Sequence, residues 1–320
     1  MSAEFNLIQQ YFTRATHHTD LGIGDDAALT QLAQGMQLVV STDMSVAGTH
    51  FFADAAPDDI GWKTLAVNIS DMAAMGAQAK WATLALAMPE VNNSWLAEFS
   101  RGFFACADMF SVDLIGGDTT RGPLNISVTI MGEVPIGQAL RRDGAKLGDD
   151  IWVSGKLGSA ASGLAHLQGK IKLEKDALQA NIHALYRPMP RAALGLALRG
   201  VATSCIDISD GLLADLGHIL QASNLGTALH LEKLPISLYN VNQLDNPIVQ
   251  QCVLAGGDDY ELCFTAPASQ RAHIEAISTQ QNIPITCIAS TSVSRMNVGL
   301  QAMYKNVYLD LKIQGFNHFG

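Results

Sequence analysis

The chain has 320 residues, 48% of them hydrophobic, and a formal net charge of −10. This length is enough to bury two ordinary cores, and the negative charge argues against nucleic acid or an anionic membrane surface as a partner. The apolar run near Trp81 to Met88 is far shorter than the roughly 20 residues that span a bilayer. The N-terminus lacks the basic segment of a signal peptide, and the five cysteines form no Cys-x-x-Cys pair. We therefore expect a cytoplasmic protein with reduced, mostly buried thiols.

Hydrophobic periodicity predicts two series of alternating helices and strands. The first series has helices over 4–14, 58–75 and 94–110 and strands over 36–42, 79–87, 112–116 and 124–133. A boundary segment over 135–150, rich in glycine and charge, follows it. The second series has strands over 150–154, 201–206, 227–231, 260–265, 284–289 and 296–303. It has single helices over 159–168, 211–223 and 268–281 and more than one helix over 176–198. The alternation predicts an α/β (α+β) protein with two domains, 1–136 and 137–320.

Aspartate is the unusual residue of this composition, with 22 Asp against only 8 Glu. Ten aspartates lie in short segments rich in Gly, Ser or Thr: Asp25, Asp26, Asp43, Asp71, Asp118, Asp207, Asp210, Asp215, Asp258 and Asp259. Short carboxylates beside closely approaching backbone suit a hard cation. The pattern predicts a metal site built from aspartates, and the alternative is a chain with many loops, because Asp favours caps and turns.

The first acidic motif, Gly22 to Ala27, matches the pattern of a dinucleotide-binding turn. No strand precedes it, and two adjacent carboxylates would repel a pyrophosphate, so a metal-ligand turn containing Asp26 is favoured over that interpretation. An acidic surface turn is the alternative. Ser41-Thr42-Asp43 ends a predicted buried strand, where α/β folds place ligand-binding groups, and its oxygens suit Mg²⁺.

Two further motifs of the first half combine small residues with one carboxylate. Asp71 lies on a predicted helix beside alanines, and a buried Asp needs a cation or donors; an exposed Asp is the alternative. Gly117 and Asp118 follow a predicted strand, where glycine N–H groups could face phosphate while the carboxylate holds a metal. His50 is either an ordinary partly buried histidine or a donor to an anionic substrate.

The second half repeats this chemistry. The motif from Asp207 to Asp210 follows a strand and opens a helix, so Ser209 or Asp210 could instead be an N-cap. The motif Gly256 to Leu262 could be only a turn before a strand, and Arg142 is either solvated or part of a phosphate clamp. Asn-Ile-Ser-Asp at 68–71 and Asp-Ile-Ser-Asp at 207–210 are each followed by Gly-Gly-Asp, which suggests comparable acidic elements in both halves.

Taken in order, these motifs resemble the thiamine-monophosphate kinase family, within the aminoimidazole-ribonucleotide-synthetase-like superfamily. The segments are GIGDDAA (22–28), STDM and GTHF (41–51), NISDMAAMGA (68–77), GGDTTRGP (116–123), DISDGLLADLGH (207–218), GGDDYELCF (256–264) and FNHF (316–319). The resemblance covers nearly the whole chain. It implies a two-domain architecture, with an N-terminal sheet domain that dimerises and a C-terminal α/β domain, in a homodimer.

The resemblance further implies ATP- and Mg²⁺-dependent phosphorylation of thiamine monophosphate, the last step in making thiamine diphosphate. Several Mg²⁺ ions would be held by Asp26, Ser41, Thr42, Asp43, Asp71, Asp118, Asp207 and Asp210. ATP contacts would come from Gly117, Asp118, Arg142 and Ser209, and thiamine monophosphate contacts from His50, Glu261 and Phe316. Asp71 and Asp210 would be the most critical. No general base is expected, because a phosphate monoester has a second pKa of about 6 and its oxygen is already anionic.

Three other functions remain as alternatives. An ATP-dependent synthetase of the same superfamily is the nearest, although a selenophosphate-forming enzyme would want a reactive cysteine near the N-terminus and the first here is Cys106. A divalent-metal phosphohydrolase could also use clustered aspartates without an ATP site. A nucleotide- or metal-sensing protein would bind its ligand without turnover.

Overall fold

The structure is a computed structural model that describes residues 3–293 and 299–309 in two compact units. The first unit comprises the described residues up to Met72 together with Ala77–Gly137. The second comprises Ala73–Gly76 and the described residues from Gln138 onward. None of the described helices is both long and apolar enough to cross a bilayer.

A four-stranded sheet forms the first unit. Its elements are α1 (Ala3–Tyr11), β1 (Met36–Val46), α2 (Pro57–Ala74), β2 (Gln78–Met88), α3 (Asn93–Phe110), β3 (Asp113–Arg121) and β4 (Asn125–Pro135). The strand order is β1-β4-β2-β3. β2 and β3 run parallel, because α3 returns the chain between them, and the other neighbours are antiparallel.

Helices α2 and α3 pack closely together through glycine. A Cβ on Gly61 would lie 2.1 Å from the carbonyl oxygen of Phe99, and one on Gly102 would lie 1.8 Å from that of Asp58. Helix α3 begins after Asn92, whose side chain accepts hydrogen bonds from two backbone N–H groups of its first turn. It ends at Ser111, which has a left-handed backbone.

The sheet of the first unit has one covered face and one open face. The side chains of Ile126, Val128 and Ile130 on β4 are almost completely buried. On the opposite face of β1, Val40 and Met44 are more than half exposed. One face of an antiparallel sheet is commonly left open in this way, but it is normally polar.

The second unit contains two four-stranded sheets. Its strands are β5 (Asp150–Ser154), β6 (Ser204–Asp207), β7 (Leu225–His230), β8 (Leu262–Ala266), β9 (Ile285–Ser290), β10 (Ser292–Val293), β11 (Leu300–Tyr304) and β12 (Val307–Tyr308). Its helices are α4 (Ser159–Leu167), α5 (Lys175–Tyr186), α6 (Ala192–Ala197), α7 (Leu212–Ala222), α8 (Leu238–Asn242), α9 (Pro247–Ala255) and α10 (Arg271–Gln281). The strand orders are β6-β8-β5-β9 and β10-β7-β11-β12.

Two buried apolar clusters lie on the two sides of the first of these sheets. Cys205 belongs to one cluster and Cys263 to the other, because they occupy paired strands at positions whose side chains point to opposite faces. Helix α7 contributes to the larger cluster through Leu212, Leu216 and Ile219, which are fully buried. Spacings of three and four residues place them on one face of the helix.

The α/β (α+β) class is confirmed, and most elements lie within a few residues of their predicted bounds. The helices predicted over 176–198 are α5 and α6, which Pro188 and Pro190 separate. The structure departs from the predictions in two other places. α8 and α9 occupy a segment for which no element was predicted. β1 and β3 continue beyond their predicted ends, because their next residues still pair with neighbouring strands.

Candidate functional site

In the first unit, the motif Ser41-Thr42-Asp43 lies in the middle of β1. The prediction that it ends a buried strand is wrong, because β1 continues to Val46 and is an edge strand. Ser41 and Asp43 are half-buried, and Thr42 is exposed with its hydroxyl 2.9 Å from that of Thr129 on β4. Alternation along the strand therefore separates the three side chains between two faces.

Helix α2 brings Asp71 to Ser41. The Ser41 hydroxyl donates to Asp71 Oδ2 at 2.5 Å, which joins two predicted metal ligands from β1 and the last turns of α2. Asp71 itself is half-buried, whereas Ile69 and Ala73 beside it are completely buried. The pair presents one carboxylate and one hydroxyl, which are hard oxygen donors suited to Mg²⁺.

His50 lies in the turn that follows β1. Its Nδ1 accepts a hydrogen bond from the backbone N–H of Val46 at 3.0 Å. In the neutral ring the proton must then reside on Nε2, so that nitrogen is the one that could donate to an anionic substrate.

Gly117 and Asp118 lie within β3, so the prediction that they follow a strand is wrong. A Cβ on Gly117 would come within 1.8 Å of the carbonyl oxygen of Leu84, and its φ is +153°. Only glycine fits this close approach of β3 to β2. Asp118, the next residue, is exposed and pairs in register with Ala85.

Asp26 lies in the connection between α1 and β1. Its side chain is exposed, and its backbone N–H donates to Asp25 Oδ1 at 2.9 Å. Within residues 3–293 and 299–309, no three His, Cys, Asp or Glu side chains are arranged as a ready metal cluster.

In the second unit, the two acidic motifs lie side by side. The backbone N–H groups of Asp258 and Tyr260 donate to the carbonyl oxygens of Ser209 and Ile208 at 2.9 and 2.8 Å. Ile208 in turn donates to the carbonyl of Glu261 at 2.8 Å. Asp207 ends β6 and is buried, whereas Ser209 and Asp210 in the following turn are half-buried.

Asp215 is a residue of this region to which the sequence analysis assigned no role. It lies in the first turn of α7, is 3% exposed, and its Oδ2 accepts from the backbone N–H groups of Asp210 and Gly211 at 3.0 and 3.1 Å. Burial, together with the charges of Asp207 and Asp210, raises the pKa of Asp215 to about 8, although the two N–H groups act in the opposite direction. Its place in the first helical turn was the available signal, because such a carboxylate can cap the free N–H groups.

Asp259 was likewise counted among the clustered aspartates but given no role. Both of its carboxylate oxygens accept from the backbone N–H of Gly158, at 2.9 and 3.0 Å. Burial raises the pKa of Asp259 well above its usual range, and the neighbouring charges of Glu261, Asp258 and Asp215 act in the same direction.

Glu261 has a cation from the chain itself. Its buried carboxylate accepts two hydrogen bonds from the guanidinium of Arg191, one of them from Nε at 2.6 Å, and a third from Ser154 Oγ at 2.6 Å. This forked arrangement is the strongest type of carboxylate pairing. It also fixes the start of the β5–α4 connection, since a Cβ on Gly155 would overlap the same carboxylate.

The two remaining predicted ligand-binding residues are Arg142 and Phe316. Arg142 is exposed in a short 3₁₀ turn over Arg142–Gly144, and its carbonyl accepts from Ser223 Oγ at 3.2 Å. The neighbouring Arg141 is instead paired with Asp143. Phe316 lies outside the described residues.

A family model described as AIR synthase related protein, N-terminal domain, matches residues 24–134. This match includes the predicted acidic ligands of the first unit. It begins at Gly24, next to Asp25 and Asp26, and ends in β4.

Comparison with known proteins gives matches over nearly the full length. Thiamine-monophosphate kinase of Escherichia coli K12 is 44% identical over 99% of this chain and 98% of its own. The crystal structure of thiamine-monophosphate kinase from Stenotrophomonas maltophilia K279a has a TM-score of 0.82 at 47% identity and covers 93% of each chain. AaThiL complexed with AMPPCP and TMP has a TM-score of 0.77 at 30% identity and covers 93% of this chain and 92% of its own.

Proposed function

The chain belongs to the thiamine-monophosphate kinase family, and from this we infer that it is a kinase that phosphorylates thiamine monophosphate to thiamine diphosphate with ATP. The observation that carries this function is the 44% identity over 99% of the chain. A second observation supports both substrates, because the related AaThiL was crystallised with AMPPCP, an analogue of ATP, and with TMP.

The reaction joins two anions, so positioning and charge are the difficulty. A phosphate oxygen of thiamine monophosphate attacks the terminal phosphorus of ATP, the bond to the bridging oxygen breaks, and ADP leaves. With a second phosphate pKa of about 6, the nucleophile is already deprotonated near neutral pH. Catalysis then depends on in-line alignment and on stabilisation of the charge on the transferring group.

Magnesium is part of this proposal. The donors of the first unit fit Mg²⁺, which is usually bound through one or two carboxylates together with substrate phosphates. Bound there, the ion would neutralise phosphate charge. We propose that several Mg²⁺ ions are held by Asp26, Ser41, Thr42, Asp43, Asp71, Asp118, Asp207 and Asp210. The contact of Ser41 with Asp71 supports this set, because the hydroxyl orients the carboxylate.

The ATP contacts are proposed for Gly117, Asp118, Arg142 and Ser209. Exposure of Asp118 and Arg142 supports them, since an exposed side chain is accessible to a ligand. For thiamine monophosphate we propose His50 and Glu261. Glu261 accepts three hydrogen bonds within the chain, and a carboxylate has about four acceptor positions, so one remains for a donor on the substrate.

The homodimer is also a proposal, and the open sheet face of the first unit supports it. Leu38, Val40 and Met44 are each about half exposed on β1, and alternate residues of one strand point to the same face. Several exposed apolar side chains on one face are a common feature of an interface. Pairing of the sheets in two copies would cover this face.

The alternatives are less well supported. A synthetase of the same superfamily would share the fold, but the full-length relatives reported above are kinases. A phosphohydrolase would not need the ATP contacts.

The test is a direct assay of the purified protein with ATP, Mg²⁺ and thiamine monophosphate, with thiamine diphosphate and ADP separated by chromatography. We expect one thiamine diphosphate per ADP, and no product in EDTA. Formation of ADP without thiamine diphosphate would refute the proposal that the protein phosphorylates thiamine monophosphate. In that case a screen of amide and selenide acceptors would examine the synthetase alternative.

A further inference from the structure

The connection between α1 and β1 is a long irregular segment that carries the first acidic motif. It spans residues 12–35, whereas loops longer than about 12–15 residues without regular structure are uncommon and are usually functional or disordered. Within it, Leu29 N donates to Leu21 O at 2.9 Å and Leu21 N to Leu29 O at 3.2 Å. These bonds close a short hairpin, and Asp25 and Asp26 lie exposed near its tip.

The first end of this hairpin is held by a buried carboxylate on β3. Asp113 is 4% exposed and accepts from the backbone N–H groups of His17 and His18, at 2.8 and 2.6 Å to Oδ2, and from Thr19 Oγ1 at 3.1 Å. Trp81 on β2 adds a hydrogen bond from its indole to the carbonyl of His18 at 2.9 Å. Three consecutive residues are thus fixed to the sheet just before the hairpin begins.

The second end is held by another buried carboxylate, on β4. Glu133 is 3% exposed, and its Oε1 accepts from the backbone N–H of Ala33 at 2.8 Å. Its Oε2 lies 2.5 Å from the ammonium of Lys80 on β2. Ala33 lies four residues after Leu29, so the chain on both sides of the hairpin is bonded to strands of one sheet.

The surroundings of Asp113 and Glu133, the two carboxylates that anchor the hairpin, favour their charged forms. Burial by itself raises the pKa of Asp113, but hydrogen bonds from His18, His17 and Thr19 outweigh it and lower the pKa below its usual value. For Glu133, burial is likewise outweighed by Lys80 and by the N–H of Ala33. A charged acceptor binds an N–H group about twice as strongly as a neutral one.

We propose that Asp113 and Glu133 are positioning residues for the cation site, which fix both ends of the hairpin and so present Asp26 in one place. The inference rests on the proposed function, in which Asp26 is a ligand of Mg²⁺. Neither residue touches a reacting atom. They act through the loop, because a ligand that is already ordered loses less conformational freedom when it binds.

The experiment compares Asp113→Asn with Asp150→Asn as a matched control. Asp150 is equally buried, lies in the other unit and is held by the guanidinium of Arg271, so its loss is a structural defect of similar kind. In Asp113→Asn we expect the Mg²⁺ concentration for half-maximal activity to rise roughly tenfold, the usual effect of losing a residue that orients a metal ligand. The kcat at saturating Mg²⁺ should stay close to that of the unchanged protein. In Asp150→Asn the Mg²⁺ requirement should not change.

Amide hydrogen exchange supplies a readout that does not depend on turnover. In metal-free protein, exchange over residues 21–29 should be faster in Asp113→Asn than in Asp150→Asn, and added Mg²⁺ should slow it. Thr19→Val removes one hydrogen bond to Asp113 and keeps the shape of the side chain. If Asp113→Asn fails to fold, Thr19→Val provides the same test, with smaller expected changes in the Mg²⁺ requirement and in the exchange rate over residues 21–29. Glu133→Gln should reproduce the effect from the other end.

The outcomes separate this inference from the function on which it rests. Absence of thiamine diphosphate with the unchanged protein would overturn the proposed function, and the assignment of the anchors with it. Normal product formation, combined with an unchanged Mg²⁺ requirement and unchanged exchange over 21–29 in Asp113→Asn or Thr19→Val, would overturn the anchor proposal alone. An equal rise in Mg²⁺ requirement in Asp150→Asn would also overturn it, since the effect would then be one of general stability.

Discussion

Two buried carboxylates of the first unit and two carboxylates of the acidic region in the second unit have opposite surroundings. In the first unit, Asp113 and Glu133 are surrounded by N–H donors and a lysine, and their pKa values are lowered. In the second, Asp215 and Asp259 are packed beside other carboxylates, and their pKa values are raised. Burial acts in the same direction at all four residues, so the difference comes from their neighbours.

This difference distinguishes acids that hold the fold from acids that suit a ligand. A carboxylate whose charge is already compensated within the chain gains little from an added cation. A group of carboxylates that repel one another gains much more, because a divalent ion reverses the local sign of the field. Strongly perturbed carboxyl groups are for the same reason frequent at functional sites. Glu261 and Asp150 of the second unit belong to the compensated kind, since Arg191 pairs with Glu261 and Arg271 pairs with Asp150.

Removal of Arg191, the partner of Glu261, should give the largest change in stability. In Arg191→Ala the buried carboxylate of Glu261 loses its partner, and we expect the free energy of unfolding to fall by about 3–5 kcal/mol. Urea denaturation measures the change. The double variant Arg191→Ala/Glu261→Gln should recover part of the loss, because it no longer buries an unpaired charge. A loss under about 1 kcal/mol in the single variant would contradict a strong pair.

Asp71→Asn should have a large effect on activity and a small one on stability. Asparagine can still accept the hydrogen bond from Ser41 but carries no charge for a cation, so we expect turnover to fall by at least about a hundredfold. The unfolding free energy should change by less than about 1 kcal/mol. Near-normal turnover at limiting Mg²⁺ would remove Asp71 from the proposed metal ligands.

The pH dependence of stability should differ between the two kinds of acid. The folded pKa of Asp215 is about 8 against an ordinary value of 3.8, so between these values the folded state retains a proton that the unfolded state has released. Its contribution is therefore present below that ordinary value and is lost as the pH rises to about 8, at up to about 1.4 kcal/mol per pH unit. The lowered pKa of Asp113 has the opposite sign, and its stabilisation is lost as the pH falls.

These signs can be checked by denaturation between pH 3 and 9 in EDTA. In Asp215→Asn, the unfolding free energy should fall less steeply between pH 5 and 8. The acid limb, which is the loss of stability as the pH falls toward 3, should be unchanged. Asp113→Asn should weaken the acid limb and leave the slope between pH 5 and 8 unchanged. The same slope in Asp215→Asn as in the unchanged protein would mean that Asp215 ionises normally.

The smallest effect is expected at a surface pair of the first unit. Arg14 and Asp108 are joined at 3.2 Å, and their side chains are 50% and 69% exposed. Solvent screening leaves such pairs worth less than about 1 kcal/mol. Asp108→Asn should therefore alter neither turnover nor unfolding measurably. A loss of activity here would show that removal of any acid is harmful, and would weaken the distinction between the two kinds.

Local patterns predicted much of this structure because their causes are local. Helix α3 was predicted over 94–110 and lies at Asn93–Phe110, since its apolar spacing and its first and last residues all agree. β5 was predicted over 150–154 and has those bounds. The short helices α8 and α9 were not predicted, because they lie where the periodicity was weak. Strand ends were underestimated, because pairing with a neighbour, and not composition, decides where β1 and β3 stop.

The repeated motif illustrates the limit of such patterns. Asn-Ile-Ser-Asp at 68–71 lies on helix α2, whereas Asp-Ile-Ser-Asp at 207–210 spans the end of β6 and the following turn. Gly-Gly-Asp at 116–118 lies in β3, but at 256–258 it lies in an irregular connection. The repeated letters therefore have different local structures, because four letters do not specify a backbone that tertiary contacts determine.

The sequence by itself determined the α/β class, most of the elements and the family, because periodicity and the order of the motifs are properties of the linear chain. Only the tertiary structure decided which carboxylates are neighbours. It placed Asp215 against Asp207 and Asp210, paired Glu261 with Arg191, and tied the hairpin of Asp26 to Asp113. The charge state of an acid depends on burial and on groups within a few ångströms, and those groups come from distant parts of the chain.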